Sequence, residues 1–149
     1  MSKIIRLTKE FRFEAAHALL QYDGLCKNIH GHSYILRVTI KGTPITDTQN
    51  PKLGMVMDFS DLKKIVKEEV VDQFDHSIIL NKKASVPAID QITDMFDRIH
   101  TLDYQPTCEN MVVDFAQRIQ AKLPTEVQLF SVQLYETATS FAEWYAEDN

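Results

Sequence analysis

Histidine pairs that alternate along a strand are candidates for metal binding, and this chain has such a pair, His30 and His32, with a third histidine upstream at His17. Residues two apart on a strand point to the same side of its sheet, so the pair shares a face. His17 falls in phase with Phe11 and Phe13, while His30 and His32 fall in phase with Leu36, Val38 and Ile40. If the two stretches pair as neighbours, all three imidazoles emerge from one face at adjoining strand ends. Three neutral imidazoles on a rigid support, with a fourth position open, are what a catalytic zinc requires. Imidazole also suits iron, copper and nickel, so spacing alone does not choose the metal. A single histidine of this kind would more often be a hydrogen-bonded core residue; the in-phase trio favours the metal. A cupin-like oxygenase would want a glutamate soon after the pair, and residues 33–37 read Ser-Tyr-Ile-Leu-Arg instead. His100 lies in a weakly helical stretch and is read as an ordinary surface residue.

The elements that must carry these side chains follow from periodicity. Over residues 5–17 the odd positions are mostly apolar and the even positions Arg6, Thr8, Glu10, Arg12 and Glu14 are polar, which predicts a half-buried strand. A second strand is predicted over 30–41, antiparallel to the first across a loop at 18–29 that carries Gly24 and Cys26. Residues 43–54 read as loop. Asp58 can cap a helix whose buried stripe is Leu62, Ile65, Val66, Val70 and Phe74. A weaker helical pattern covers 88–100. Thr107 offers an N-cap for a third helix with Val112, Phe115, Ala116, Ile119 and Leu123 inward, closed by Pro124. Over 127–135 the apolar phase slips by one residue, which predicts a bulge near Phe130 and Ser131. A last strand is expected over 141–146. The order predicts a single α+β domain over 1–149, with a four-stranded antiparallel sheet and helices on one face.

A chain of 149 residues is long enough to form a core without staples, and 44% hydrophobic with 25% charged residues is ordinary for a globular protein. The net charge of −5 argues against nucleic acid or an anionic membrane as partner. No apolar signal core and no run approaching ~20 apolar residues is present, so a cytoplasmic protein is expected. Cys26 and Cys108 do not form a disulfide framework; Cys108 is read as packing.

The motifs Phe13-Glu14-Ala15-Ala16-His17 and Cys26-Lys27-Asn28-Ile29-His30-Gly31-His32 resemble the zinc motifs of the 6-pyruvoyl-tetrahydropterin synthase superfamily. The resemblance continues, in order, through Gly54-Met55-Val56-Met57-Asp58-Phe59, Phe74-Asp75-His76 with Leu80-Asn81, Pro106-Thr107-Cys108-Glu109-Asn110 and Leu134-Tyr135-Glu136-Thr137. The cysteine-to-histidine spacing is similar to the bacterial branch, the 6-carboxy-5,6,7,8-tetrahydropterin synthases of the queuosine (7-deazaguanine) pathway. The segment 82–105 is longer than the family's usual connection. The resemblance implies the tunnelling fold, in which subunits join their sheets into a barrel, commonly a homohexamer of two trimers with active sites between subunits.

The resemblance also implies a substrate and roles. The substrate would be 7,8-dihydroneopterin triphosphate, and the products 6-carboxytetrahydropterin, acetaldehyde and triphosphate. The sister chemistry, triphosphate elimination to the 6-pyruvoyl product, is the nearest alternative, and a non-catalytic zinc-binding assembly protein is another. Zn2+ would be held by His17, His30 and His32. Cys26 is the matched general base, or else a fourth ligand that closes the site. Asp75 and His76 are the matched proton-transfer pair, although a helix-end cap would also explain them. Glu136 is the matched pterin anchor, since a carboxylate can accept two parallel hydrogen bonds from the ring. Thr107 and Glu109 sit in the matched pocket segment, where a helix cap and a first-turn acid would serve as well.

Overall fold

The computed structural model describes residues 3–149. Strands β1 (Ile5–His17) and β2 (His30–Gly42) pair antiparallel in unbroken register, from Ile5 opposite Gly42 to His17 opposite His30. Their alternation buries Phe11, Phe13, Ala15 and His17 of β1 together with Tyr34, Leu36, Val38 and Ile40 of β2 on one face. The opposite face is polar. There Arg37 Nε donates to Glu10 at 3.0 Å and its Nη1 donates to the Tyr135 hydroxyl at 3.1 Å.

Strands β3 (Ser77–Asn81), β4 (Ile99–Leu102), β5 (Gln128–Tyr135) and β6 (Phe141–Tyr145) complete the sheet, whose order is β4-β3-β1-β2-β5-β6. The four-stranded antiparallel expectation is therefore corrected to a six-stranded mixed sheet. β3 runs parallel to the end of β1, and β4 runs parallel to β3. Both are short, and an apolar run of that length has no period that separates strand from helix. His100 is corrected with them. It lies on β4, half-buried, with its ring stacked 4.5 Å from that of Phe74 and Nε2 donating to the Gln73 carbonyl at 2.6 Å.

The predicted bulge is present. Thr39 faces Ser131 and Ile40 faces Leu129, which leaves Phe130 as the extra residue. Leu129 and Val132 can therefore both enter the core. The Arg6 guanidinium lies 3.9 Å from the centroid of the Phe130 ring.

Helix α1 (Phe59–Val66) begins where the Asp58 carboxylate accepts the Ser60 N–H at 2.8 Å. It continues through a π-helical stretch, Lys67–Val71, into a closing turn, Asp72–Phe74. The wider π-turn accompanies burial of both Val70 and Val71. Helix α2 (Val86–Met95) buries none of its side chains. Helix α3 (Cys108–Gln120) starts at Thr107, whose hydroxyl accepts the Asn110 N–H, and buries Met111, Val112, Phe115, Ala116 and Ile119. Phe115 sits edge-on to both Phe13 and Phe74, at 6.1 and 5.0 Å between centroids. No helix among the described residues is long and apolar enough to cross a membrane.

Phe115 thus joins the sheet to both packed helices. Phe115→Ala is expected to destabilise the fold by about 3–5 kcal/mol through lost burial and the cavity left behind. Urea titration would show this as a lower midpoint, and an unchanged midpoint would mean that the helices are held elsewhere.

Candidate metal centre

The centre is built where β1 ends and β2 begins. His17 and His30 stand directly opposite one another, and their Nε2 atoms are 3.0 Å apart. His32 is opposite Ala15, which presents only a methyl group on that face. Among the described residues, the potential ligand atoms that gather within 4.8 Å of one another are those of His17, His30 and His32. This chain can therefore hold a metal ion there, as the in-phase spacing predicted.

Two backbone carbonyls orient the rings. His17 Nδ1–H donates to the Pro106 carbonyl at 2.7 Å, and His30 Nδ1–H donates to the Asn28 carbonyl at 2.8 Å. Such partners fix the tautomer and leave each Nε2 with its lone pair directed inward. His32 Nε2 is buried without a hydrogen-bond partner. Glu136 completes the cluster, with Oε1 3.4 Å from His17 Nε2 and 3.7 Å from His32 Nε2.

Burial sets the protonation. It lowers the pKa of His17, against the raising effects of the Pro106 carbonyl and Glu136, and the neighbouring His30 and His32 lower it further. Burial likewise lowers the pKa of His32, opposed by Glu136 and assisted by His30. Converging ring lone pairs beside a carboxylate repel one another unless a cation lies between them. The donor set fits a divalent metal that accepts nitrogen ligands. Beneath the rings, burial raises the pKa of the Tyr34 hydroxyl, with smaller contributions from Glu136 and Cys108, so it remains a neutral phenol.

The other expected site residues divide into two groups. Glu136, Thr107 and Cys108 lie on the histidine side. Thr107 caps α3 directly after the Pro106 carbonyl that holds His17, and Glu109 is exposed in the first turn. Cys108 is buried, its thiol donates to the Leu134 carbonyl at 3.1 Å, and burial pushes its pKa up to about 11, in keeping with packing. Cys26 lies on a short 3-10 turn, Leu25–Lys27, half-buried and outside the gathered ligand atoms.

Asp75 and His76 stand apart from the cluster. His76 has a left-handed backbone, φ 57°, and borders a shallow pocket lined also by Glu14, Gly31, His32, Ser33 and Ser77. Asp75 Oδ1 accepts the Glu14 N–H at 2.9 Å and lies 3.0 Å from His76 Nδ1. Partial burial raises the pKa of Asp75, but the Glu14 N–H, His76 and the charge of Arg98 together leave it below the ordinary value. His76 thus lies outside the gathered ligand atoms of the three histidines, although it borders the same shallow pocket as His32. The orienting carbonyls of Pro106 and Asn28 escape sequence reasoning because backbone acceptors carry no residue signature. The Thr107 cap beside Pro106 was the one available sign.

A cluster of three imidazoles that could hold a metal ion, above an α+β sheet, marks the class. The family described as 6-pyruvoyl tetrahydropterin synthase matches residues 6–147, and the chain belongs to that family. A relative from Haemophilus influenzae named 6-carboxy-5,6,7,8-tetrahydropterin synthase is 35% identical over 143 residues, covering 95% of this chain and 99% of its own length. A relative of the same name from Rickettsia conorii is 32% identical over 144 residues, covering 94% and 99%. The solved structure of 6-pyruvoyl tetrahydropterin synthase from Caenorhabditis elegans aligns with TM-score 0.68 and 25% identity, covering 97% of this chain and 96% of that one.

The depressed histidine values have a measurable consequence. A buried histidine that resists protonation gives the folded state fewer bound protons than the unfolded state once the pH falls below about 6.5. Stability of the metal-free protein should then be flat above about pH 7.5 and fall as the solution is acidified through pH 6.5. Urea midpoints measured from pH 8 to 5 check this, and His17→Asn should flatten the slope. An equally steep slope in that variant would contradict the assignment.

Proposed function

We propose that this protein is a zinc-dependent carbon–carbon lyase that converts 7,8-dihydroneopterin triphosphate to 6-carboxy-5,6,7,8-tetrahydropterin, with release of acetaldehyde and triphosphate. The observation that carries the reading is the cluster of three converging imidazoles beside Glu136 in a chain of this family. Its near full-length likeness to relatives named for that reaction supports the choice of product. A bound zinc would act as Lewis acid toward oxygens of the substrate side chain. His17, His30 and His32 hold it, with ring directions set by Pro106 and Asn28.

Glu136 anchors the pterin by accepting its amino and ring N–H groups. Its closeness to the histidines supports this, because the ring and the reacting side chain of one small substrate must be held side by side. Thr107 and Glu109, at the start of α3, contribute to the same substrate site. Cys26 is the general base, and its place outside the gathered ligand atoms favours that role over a fourth ligand. Asp75 stays ionised and orients the His76 imidazole for proton transfer. The His76 imidazole lies outside the gathered ligand atoms, which supports a complete site formed between subunits. The thiol and metal come from one subunit and the imidazole from the next, in a homohexameric barrel of the tunnelling fold. The protein works in the cytoplasm, in queuosine formation, on a small molecule rather than a nucleic acid.

Incubation of zinc-loaded protein with 7,8-dihydroneopterin triphosphate, followed by mass spectrometry, should yield carboxytetrahydropterin and acetaldehyde. A pyruvoyl product would assign the sister reaction, to which the C. elegans structure's name belongs. Absence of any product would withdraw the catalytic reading. Cys26→Ala should cut turnover roughly 10²–10⁴-fold, as expected for loss of a general base, with metal content intact. Loss of metal in that variant would point to a closed structural site. His17→Ala should lose bound zinc in elemental analysis, and a variant that keeps it would sink the three-histidine assignment.

A further inference from the structure

The segment after β3 supplies one side chain, Arg98, whose contacts have a single focus. A helix leaves its last carbonyls without intrahelical partners. At the end of the first helix, Arg98 Nη2 donates to the Asp72 carbonyl at 2.6 Å and to the Gln73 carbonyl at 3.1 Å, and Nε donates to the Asp75 carbonyl at 2.9 Å. Ser77 Oγ takes the remaining one, donating to the Phe74 carbonyl at 2.5 Å. Arg98 is itself anchored, since its carbonyl accepts the Ile78 N–H at 2.9 Å where β4 begins beside β3. The next residue in the chain after this clamped turn is His76, a non-glycine at φ 57°. Such a conformation persists where the surroundings over-determine it. Here the His76 N–H also donates to the Glu14 carbonyl, at 2.6 Å, and the Asp75 carboxylate is held by the Glu14 N–H.

We propose that Arg98 is a positioning residue for the Asp75–His76 pair: its guanidinium fork, spread over three carbonyls, fixes the turn that presents the His76 imidazole. This rests on the reading of that pair as the proton-transfer group. Arginine is required because its donors form a rigid planar fork, whereas a lysine ammonium is a point charge on a flexible stem. The guanidinium charge also helps to keep Asp75 ionised, so that its carboxylate holds the ring. Arg98 lies on the segment between β3 and α3, whose length thereby gains a purpose. The segment brings in an edge strand that delivers the clamp.

The test uses zinc-loaded Arg98→Ala and Arg98→Lys with 7,8-dihydroneopterin triphosphate, and His76→Ala as reference. By analogy with the roughly 10–100-fold value of hydrogen-bond partners that orient metal-ligating histidines, kcat of Arg98→Ala should fall by that range with KM and zinc content unchanged. Millimolar guanidinium chloride should restore part of the lost kcat, while urea at equal concentration should not. Arg98→Lys, which keeps the charge and favours folding, should remain impaired in kcat. The His76 imidazole resonance in nitrogen-correlated NMR should move in both variants, a readout independent of turnover. A kcat within twofold of the parent for Arg98→Lys and Arg98→Ala, with His76→Ala inactive, would overturn the Arg98 role alone. Full turnover by His76→Ala would overturn it together with the proton-transfer reading. Loss of zinc and kcat together without guanidinium rescue would reduce Arg98 to a fold-stabilising residue.

Discussion

The opposition of His17 and His30 across the β1–β2 ladder is the constraint from which the site follows. Strand residues rise about 3.3 Å each, so a slip of two positions would preserve every face and yet carry the rings about 7 Å apart along the strand. A slip of one would send one strand's apolar set to the polar side. The register is held by the buried residues Phe11, Phe13, Tyr34, Leu36, Val38 and Ile40, with Phe13 and Tyr34 stacked 4.9 Å apart immediately below the cluster. The core thus aligns the ligands. The same core seats α3, and only from that seat can the Pro106 carbonyl reach His17.

The bulge at Phe130 extends this control to the third participating strand. Before it, the inward residue of β5 is Leu129; beyond it, the inward residues are Val132 and Leu134. Glu136 continues the even phase and so falls on the histidine side, where its carboxylate meets His17 and His32. Without the extra residue the odd phase would persist, and Tyr135 would face the core in place of Leu134. One inserted residue at the far end of a strand therefore decides which side chain meets the metal ligands. The arrangement is electrostatically demanding, since burial of imidazoles beside a carboxylate stabilises neither partner alone. A cation would relieve that conflict, and the core geometry is what lets the three histidines offer it ligands.

Much of this was legible in residue order because it is written in periods. The two-residue alternation of 5–17 and 30–41 gave both long strands and the shared face of the histidines; the capping chemistry of Asp58 and Thr107 gave the starts of α1 and α3; the slipped phase gave the bulge. What stayed hidden lacks a period or a side chain. β3 and β4 are too short to show alternation, and their parallel pairing depends on contacts far apart in sequence. His100 was assigned to a surface helix for that reason, although its ring packs on Phe74. The motif Phe74-Asp75-His76 suggested a role for each residue but not its placement, because the deciding feature is the positive φ of His76.

That placement matters for how the proposed chemistry is divided. Burial lowers the pKa values of His17 and His32 and so favours the neutral form that can bind a cation. A proton-transfer imidazole has the opposite requirement: it must reach a reacting group and exchange protons with solvent, and His76 is three-quarters exposed. Within one chain the fold meets the two demands at different places, with His76 exposed and outside the gathered ligand atoms. Metal binding can be built from core residues at no loss of proton access, and proton access can be built at an exposed position without wetting the ligands. Neither half of the proposed enzyme's site is then sufficient within one chain. In the proposed enzyme, association of subunits is consequently part of catalysis, because it is the step that brings the imidazole of one sheet to the metal face of another.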